Sequence, residues 1–315
     1  MKIFLVLISE NDWERDQPDF DSSMIQSYEI LSSELSKRDI LLYRADYSWF
    51  NGELFTKGWK YIDGKWTKLE ENIAPDVIFD KTSPYINGEQ LNVDLLKQRV
   101  VIAHKYKMIN PPEFTTLISN KLYQSIVFQD CIPKTVTSIQ DISLLKTKKV
   151  VIKKFLGASA KYVNIINKDE LKELGNFTLA QEFVDGRDEN NMLRDFRFVF
   201  VDQLIAFGET RQAAIGSDYT NCSKGGFNTI YNIEEMDIEL VKVANNIAQK
   251  LSIFKGVTYC IDLMIDYKTN KKFLIEVNSK PGLGLFKDKK ALSFDQKTKD
   301  IYRKYLSLLI DKSFC

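Results

Sequence analysis

Tyr259-Cys-Ile-Asp-Leu-Met-Ile-Asp266, the turn Tyr267-Lys-Thr-Asn-Lys271 and the run Lys272-Phe-Leu-Ile-Glu-Val-Asn-Ser-Lys-Pro-Gly282 are the residues that decide the fold. Two apolar runs flank a polar turn centred near Thr269, the pattern of a β-hairpin. Antiparallel partners keep a constant sum of residue numbers, so pairing Asp266 with Lys272 predicts that Asp262 faces Glu276. Asn278 shares the face of Glu276, because side chains alternate along a strand. Two carboxylates and an amide thus converge on an otherwise apolar ribbon. Carboxylates that close repel unless a cation sits between them. Oxygen donors without His or Cys select a hard ion, and Mg²⁺ bridging nucleotide phosphates fits best. Asp262, Glu276 and Asn278 are the candidate metal ligands.

Composition narrows the chemistry around this hairpin. A chain of 315 residues suits two or three packed units, and 44% hydrophobic with 28% charged residues is ordinary for a globular protein. The net charge of +1 and the lack of a dense Lys/Arg run argue against a nucleic-acid partner. Cys131, Cys222, Cys260 and Cys315 are scattered, which excludes a CxxC zinc site and suggests free thiols in a reducing cytosol. His104 is the sole histidine, so acid–base chemistry must rest on other groups. The apolar start Ile3–Ile8 reads as a buried strand rather than a signal peptide, because Glu10, Asp12 and Glu14 follow it. No apolar stretch is long enough to cross a bilayer, so no membrane partner and a cytoplasmic location are expected.

The first third alternates strand and helix: strand Lys2–Ile8, helix Ser23–Lys37, strand Ile40–Arg44 and strand Pro75–Asp80. Between them, Trp49, Trp59 and Trp66 accompany a hairpin turned at Asp63-Gly64. These tryptophans either fill a small core, the commoner use, or grip an acceptor. Pro111-Pro112 marks the most plausible boundary. Beyond it come a helix over Ser119–Phe128 capped by Ser119 or Asn120, strand Val150–Lys154, the small-residue loop Gly157-Ala-Ser-Ala160 and strand Tyr162–Ile166. A charged helix and strand Thr178–Val184 follow. The last part is strand-rich, with a helix over Met236–Leu251 and a terminal helix over Phe294–Ile310.

Asp262 and the run Glu276-Val-Asn-Ser-Lys-Pro-Gly282 resemble the metal-binding end of ATP-grasp enzymes, closest to the RimK-type branch that joins amino acids to carboxylates. Further landmarks in the family's order extend the likeness over roughly 119–286. The resemblance implies an α/β (α+β) ATP-grasp fold divided into an N-terminal substrate domain (1–112), a central lobe (113–185) and a C-terminal lobe with the metal site (186–315). It implies phosphate contacts at Lys121 and at Lys153 or its neighbour Lys154, and a phosphate-wrapping loop at Gly157 and Ser159, where Ala158 and Ala160 replace the usual glycines. It implies an adenine-reading hinge over Gln181, Glu182, Phe183 and Val184, and an Asp-x-Arg motif in which Asp195 joins the nucleotide contacts and Arg197 lies near the transferring phosphoryl group. Arg211, Asn221, Lys224 and Gly225-Gly226 match the family's substrate loop, and Lys81 stands where relatives often carry arginine.

The activity so implied is ATP-dependent ligation of a carboxylate substrate (peptide, protein tail or small molecule) to an amine or amino acid through an acyl-phosphate. Arg197, Arg211, Lys224 and Asn221 are the candidate catalytic residues. ATP and two Mg²⁺ ions, with Mn²⁺ able to substitute, are the implied cofactors, and a homo-oligomer accords with the family's habit. A small-molecule kinase and a non-catalytic nucleotide-binding protein are the alternatives.

Overall fold

Phe4, Leu5, Val6 and Leu7 are all fully buried, and so uninterrupted an apolar run suits a parallel strand covered on both faces. This strand, β1 (Lys2–Ile8), pairs in parallel with β2 (Ile40–Asp46) on one side and β5 (Val77–Asp80) on the other. Helix α1 (Ser22–Ser36) connects β1 to β2, and α2 (Val93–Lys105) leads into β6 (Lys107–Ile109), which pairs with β5. A computed structural model supplies these coordinates and describes residues 1–18, 20, 22–83, 90–157, 162–220, 225–281 and 295–314.

The tryptophan segment is an extension of this sheet. Strands β3 (Gly58–Ile62) and β4 (Lys65–Leu69) add an antiparallel edge, giving the order β4-β3-β2-β1-β5-β6. Asp63 and Gly64 both have positive φ (47° and 80°), as a two-residue hairpin matching the strand twist requires. Trp49, Trp59 and Trp66 are buried, so they fill the core.

Helices α3 (Pro112–Ile118) and α4 (Lys121–Val127) lead to a four-stranded sheet of order β7-β10-β8-β9: β7 (Thr135–Val136), β8 (Lys149–Lys154), β9 (Val163–Asn167) and β10 (Thr178–Glu182). Asn120, not Ser119, caps α4, its side chain accepting from the Leu122 and Tyr123 amides. The expected charged helix before β10 is only a short 3₁₀ turn, Lys168–Glu170. Leu171 and Leu174 instead pack on the small core around Val150, and so short a helix has little stability to oppose that.

The third sheet holds β11 (Arg194–Val201), β12 (Leu204–Gln212), β13 (Phe227–Tyr231), β14 (Thr258–Asp266) and β15 (Lys271–Asn278), all antiparallel, in the order β13-β12-β11-β14-β15. Phe198, Phe200, Ile261 and Leu263 pack with Leu240, Ala244 and Ile247 of α5 (Ile238–Gln249) on one face. The terminal helix α6 (Gln296–Phe314) joins the core of the first sheet, and its Asp311 accepts from Arg38 at 2.8 Å just beyond α1.

The hairpin β14–β15 corrects one expectation and supports another. Asp262 does face Glu276, but Asp266 faces Lys271 rather than Lys272. The register shifts beside Asp262, leaving Ile275 as an extra residue on β15. A constant index sum presumes no bulge, and a bulge next to a functional group re-aims side chains.

Candidate active site

Alternation along the third sheet sends one set of side chains to the face opposite α5. Far from the turn this face is apolar, with Val199, Phe207 and Cys260 in the core shared with α6. Nearer the hinge between sheets it becomes a ladder of alternating charge. Glu209 pairs in register with Arg197, Arg197 with Asp262, and Asp262 with Glu276. Asp195 and Arg211 form a neighbouring rung.

The contacts follow the register. Arg197 grips Asp262 with two bonds, Nε to Oδ1 at 2.7 Å and Nη2 to Oδ2 at 2.8 Å. Arg211 grips Asp195 through Nε at 2.6 Å and Nη2 at 2.9 Å, and reaches Asp262 Oδ2 at 2.8 Å. Thr220 donates its hydroxyl to Asp195. These bonds use Nε and Nη2 of each guanidinium; Nη1 of neither takes part in them. Burial alone would raise the Asp262 carboxyl, but the charges of Arg197 and Arg211 overcome it and hold the group well below the usual carboxylate range. Asp262 is therefore ionised, and two guanidiniums already supply the positive charge that its approach to Glu276 requires. Asp195, expected among the nucleotide contacts, has its carboxylate committed to Arg211.

Glu209 was not singled out from the sequence, although its place two residues before Arg211 puts it on the same face. It is 1% exposed, and among the described residues its Oε1 has no hydrogen-bond partner. Burial pushes its carboxyl up against the opposing pull of both arginines.

On the other side of Asp262, Glu276 meets Lys121 Nζ at 3.1 Å. Gln124 sets this distance by fastening α4 beneath β15: its amide accepts from Val277 N at 2.8 Å and donates to Val277 O at 2.9 Å. Lys121 also donates to Gly157 O at 2.6 Å. Gly157 has φ 135°, and a Cβ there would lie 3.0 Å from the Tyr162 ring, so glycine suits this turn on both counts. Lys153, rather than Lys154, is turned toward this group. Its Nζ donates to Gln181 Oε1 at 2.7 Å and lies 3.4 Å from the carbonyl of the bulged Ile275. Burial pushes the Lys153 amine down to about 8; Glu276 opposes the shift and Lys121 adds to it.

The hinge residues are partly engaged. Gln181 also donates to Thr135 Oγ1 at 2.9 Å, so its side chain steadies Lys153. Glu182 accepts from Lys146 N at 2.7 Å, Phe183 N donates to Thr147 Oγ1 at 3.3 Å, and Val184 is buried. Ser159, Asn221 and Lys224 lie outside the described residues. Beside them, a Cβ on Gly226 would meet Thr220 O at 2.3 Å, so the chain passes too close there for any other residue.

Among the described residues no three His, Cys, Asp or Glu side chains gather as a metal cluster. The donor set is two carboxylates and an amide. Asp262 Oδ2 receives three donors, including Asn278 Nδ2 at 3.3 Å, whereas Oδ1 receives one. In kind, this set of oxygen donors suits a hard divalent ion, although Oδ1 also carries the Arg197 Nε bond.

At the carboxyl end of β5, Lys81 donates to the Pro281 carbonyl and Lys280 pairs with Asp80 at 3.0 Å. Burial, then the Lys280 ammonium, pushes the Lys81 amine down to about 7. An unfolded lysine titrates near 10.4. Between those values the unfolded chain binds the extra proton, so this group makes stability rise with pH from about 7 toward about 10. Lys81→Met should therefore melt above wild type at pH 7, with the gap closing toward about pH 10. Thermal unfolding across that range checks the sign, and a variant that melts lower at pH 7 contradicts it.

No curated protein matches the chain in sequence. Among solved structures it is similar to D-cycloserine synthetase DcsG, at 13% identity and a TM-score of 0.63, covering 97% of this chain and 99% of that one. It is similar to VanG D-Ala:D-Ser ligase from Enterococcus faecalis, at 14% identity and 0.60, covering 99% of each chain. The ATP-grasp ligase PsnB bound to its minimal precursor follows at 13% and 0.58, covering 98% of each. At such identities these likenesses concern the fold. A family model for the RimK-like ATP-grasp domain matches residues 118–301, more than half of the chain and all of the charged ladder. The chain belongs to the RimK-like ATP-grasp family.

Proposed function

We propose that this protein is an ATP-dependent carboxylate–amine ligase that forms an amide through an acyl-phosphate. The observation that carries the reading is the charged ladder, in which two guanidiniums converge on Asp262 beside Glu276 inside a RimK-like ATP-grasp domain. Lys121, Lys153, Gly157 and Ser159 hold the phosphates, and the chain over Gln181, Glu182, Phe183 and Val184 borders the base. Asp262, Glu276 and Asn278 would hold Mg²⁺, or Mn²⁺ in its place, and a second ion would draw on the same carboxylates. The bound ion would neutralise charge on the transferring phosphoryl group.

The substrate carboxylate attacks the γ-phosphorus, ADP leaves, and the amine then displaces phosphate from the acyl carbon. Arg197 and Arg211 present guanidinium edges where negative charge gathers, and Asp195 and Asp262 hold them in place in advance. The family resemblance assigns Asn221, Lys224 and Gly225-Gly226 to the acyl-phosphate. None of these roles needs a nucleophilic side chain, in keeping with a single histidine.

The division into 1–112, 113–185 and 186–315 is supported by one sheet falling in each part, although α6 packs on the first. VanG is described as a D-Ala:D-Ser ligase and PsnB as bound to a precursor peptide, which supports an amino-acid or peptide substrate here. Among the described residues no helix is long and apolar enough to cross a membrane. ADP release screened over carboxylates and amines tests the reading. Release that needs both partners is expected; phosphorylation of a hydroxyl substrate, or nucleotide binding without turnover, would overturn it.

A further inference from the structure

The third sheet sets Arg197 between two acids. On the face opposite α5 it pairs in register with Glu209 of β12 on one side and with Asp262 of β14 on the other. Side chains directly opposite on one face stand about 4.5–5.5 Å apart at Cβ, so a guanidinium in this position can serve either neighbour. It serves only one. Both oxygens of Asp262 accept from Arg197, whereas Glu209 Oε1 is buried and accepts from no donor among the described residues.

A buried acceptor without a donor is destabilising, and native proteins rarely keep one without a use. Two guanidiniums here face three acids, Asp195, Asp262 and Glu209. Asp195 is committed to Arg211 by two bonds and also accepts the Thr220 hydroxyl. Asn228, the register partner of Arg211 on β13, bonds the Glu209 carboxyl and so fixes it beside the ladder. Cys260 of β14 and Tyr302 of α6 border the same carboxyl, and neither donates to Oε1.

The proposed metal seat supplies the use. Asp262 Oδ1 already accepts from Arg197 Nε at 2.7 Å, and a divalent cation at that oxygen would repel the guanidinium. We infer that Glu209 is a positioning residue for Arg197: its Oε1 accepts the donor that Asp262 Oδ1 releases to an ion. Glu209 replaces that one bond and not the whole pair, since Asp262 Oδ2 keeps Nη2 of both guanidiniums. Arg197 thereby stays on the ladder while Asp262 serves the ion. The role rests on the ligase reading and adds to that site a residue outside its motifs.

Electron paramagnetic resonance of Mn²⁺ with ADP measures the affinity of the full chain and its variants, and melting curves verify folding. Glu209→Gln should weaken Mn·ADP binding by about ten-fold, the scale of one charge-assisted hydrogen bond. A charge acting only through space would matter equally with or without Arg197, so the same substitution is repeated beside Arg197→Met. There it should leave the affinity nearly unchanged, because Oδ1 then has no Arg197 donor to release. Glu209→Asp keeps the charge but withdraws the oxygens by one carbon, and should bind as weakly as Glu209→Gln. That variant decides the matter even where Arg197→Met does not fold. Unchanged affinity in Glu209→Gln, an equal loss in both backgrounds, or wild-type affinity in Glu209→Asp overturns the role and leaves the ligase reading standing. A wild type that takes up no Mn·ADP overturns the ligase reading, and this role with it.

Discussion

Asp262→Asn is expected to be among the most damaging substitutions in the chain, lowering stability by about 3–5 kcal/mol and abolishing turnover. Asp262 is 3% exposed and receives three of the guanidinium bonds from Arg197 and Arg211. Neutralising it leaves Arg197 without its carboxylate in a poorly solvated place. Arg211 keeps Asp195, so the damage centres on Arg197 and on the ion seat. Denaturant unfolding of the variant measures the loss, and an unchanged midpoint would mean that the ladder contributes nothing to the fold.

Glu276→Ala is expected to separate catalysis from stability. Its side chain is 26% exposed and pairs with Lys121 at 3.1 Å, while Lys121 keeps the Gly157 carbonyl, so losing it should cost less stability than losing Asp262. The same carboxylate is one of the three proposed metal ligands, so ADP release should fall by about 10²-fold or more, the scale at which one preorganised electrostatic contact acts. A variant that melts well above Asp262→Asn and has lost turnover satisfies both halves. Retained turnover would move the ion elsewhere.

How much of this was legible in the sequence varied with distance along the chain. The pairing of Asp262 with Glu276 was readable only because the bulge at Ile275 makes up for a turn pairing, Asp266 with Lys272, that lies one residue out. The bulge at Ile275 was not, because it is an extra residue that leaves the apolar pattern unbroken. Its carbonyl nonetheless faces Lys153 and so helps choose Lys153 over Lys154. The two arginines were assigned to substrate, yet each is first committed to a carboxylate on a neighbouring strand, a fact set by register across the sheet. Asp195 shows the same limit. The pairing of Asp80 with Arg99 and Lys280 joins three distant segments, with no local pattern to announce it. Glu209, by contrast, stands two residues before Arg211 and could have been found by following their alternation.

Electron paramagnetic resonance of Mn²⁺ with ADP, titrated with wild type and with Glu276→Ala, tests the metal–nucleotide seat most directly. The free-ion signal should disappear only when nucleotide and wild-type protein are both present, and should persist with the variant. Equal loss of signal with Glu276→Ala, or none with wild type, would contradict the seat and the ligase chemistry built on it.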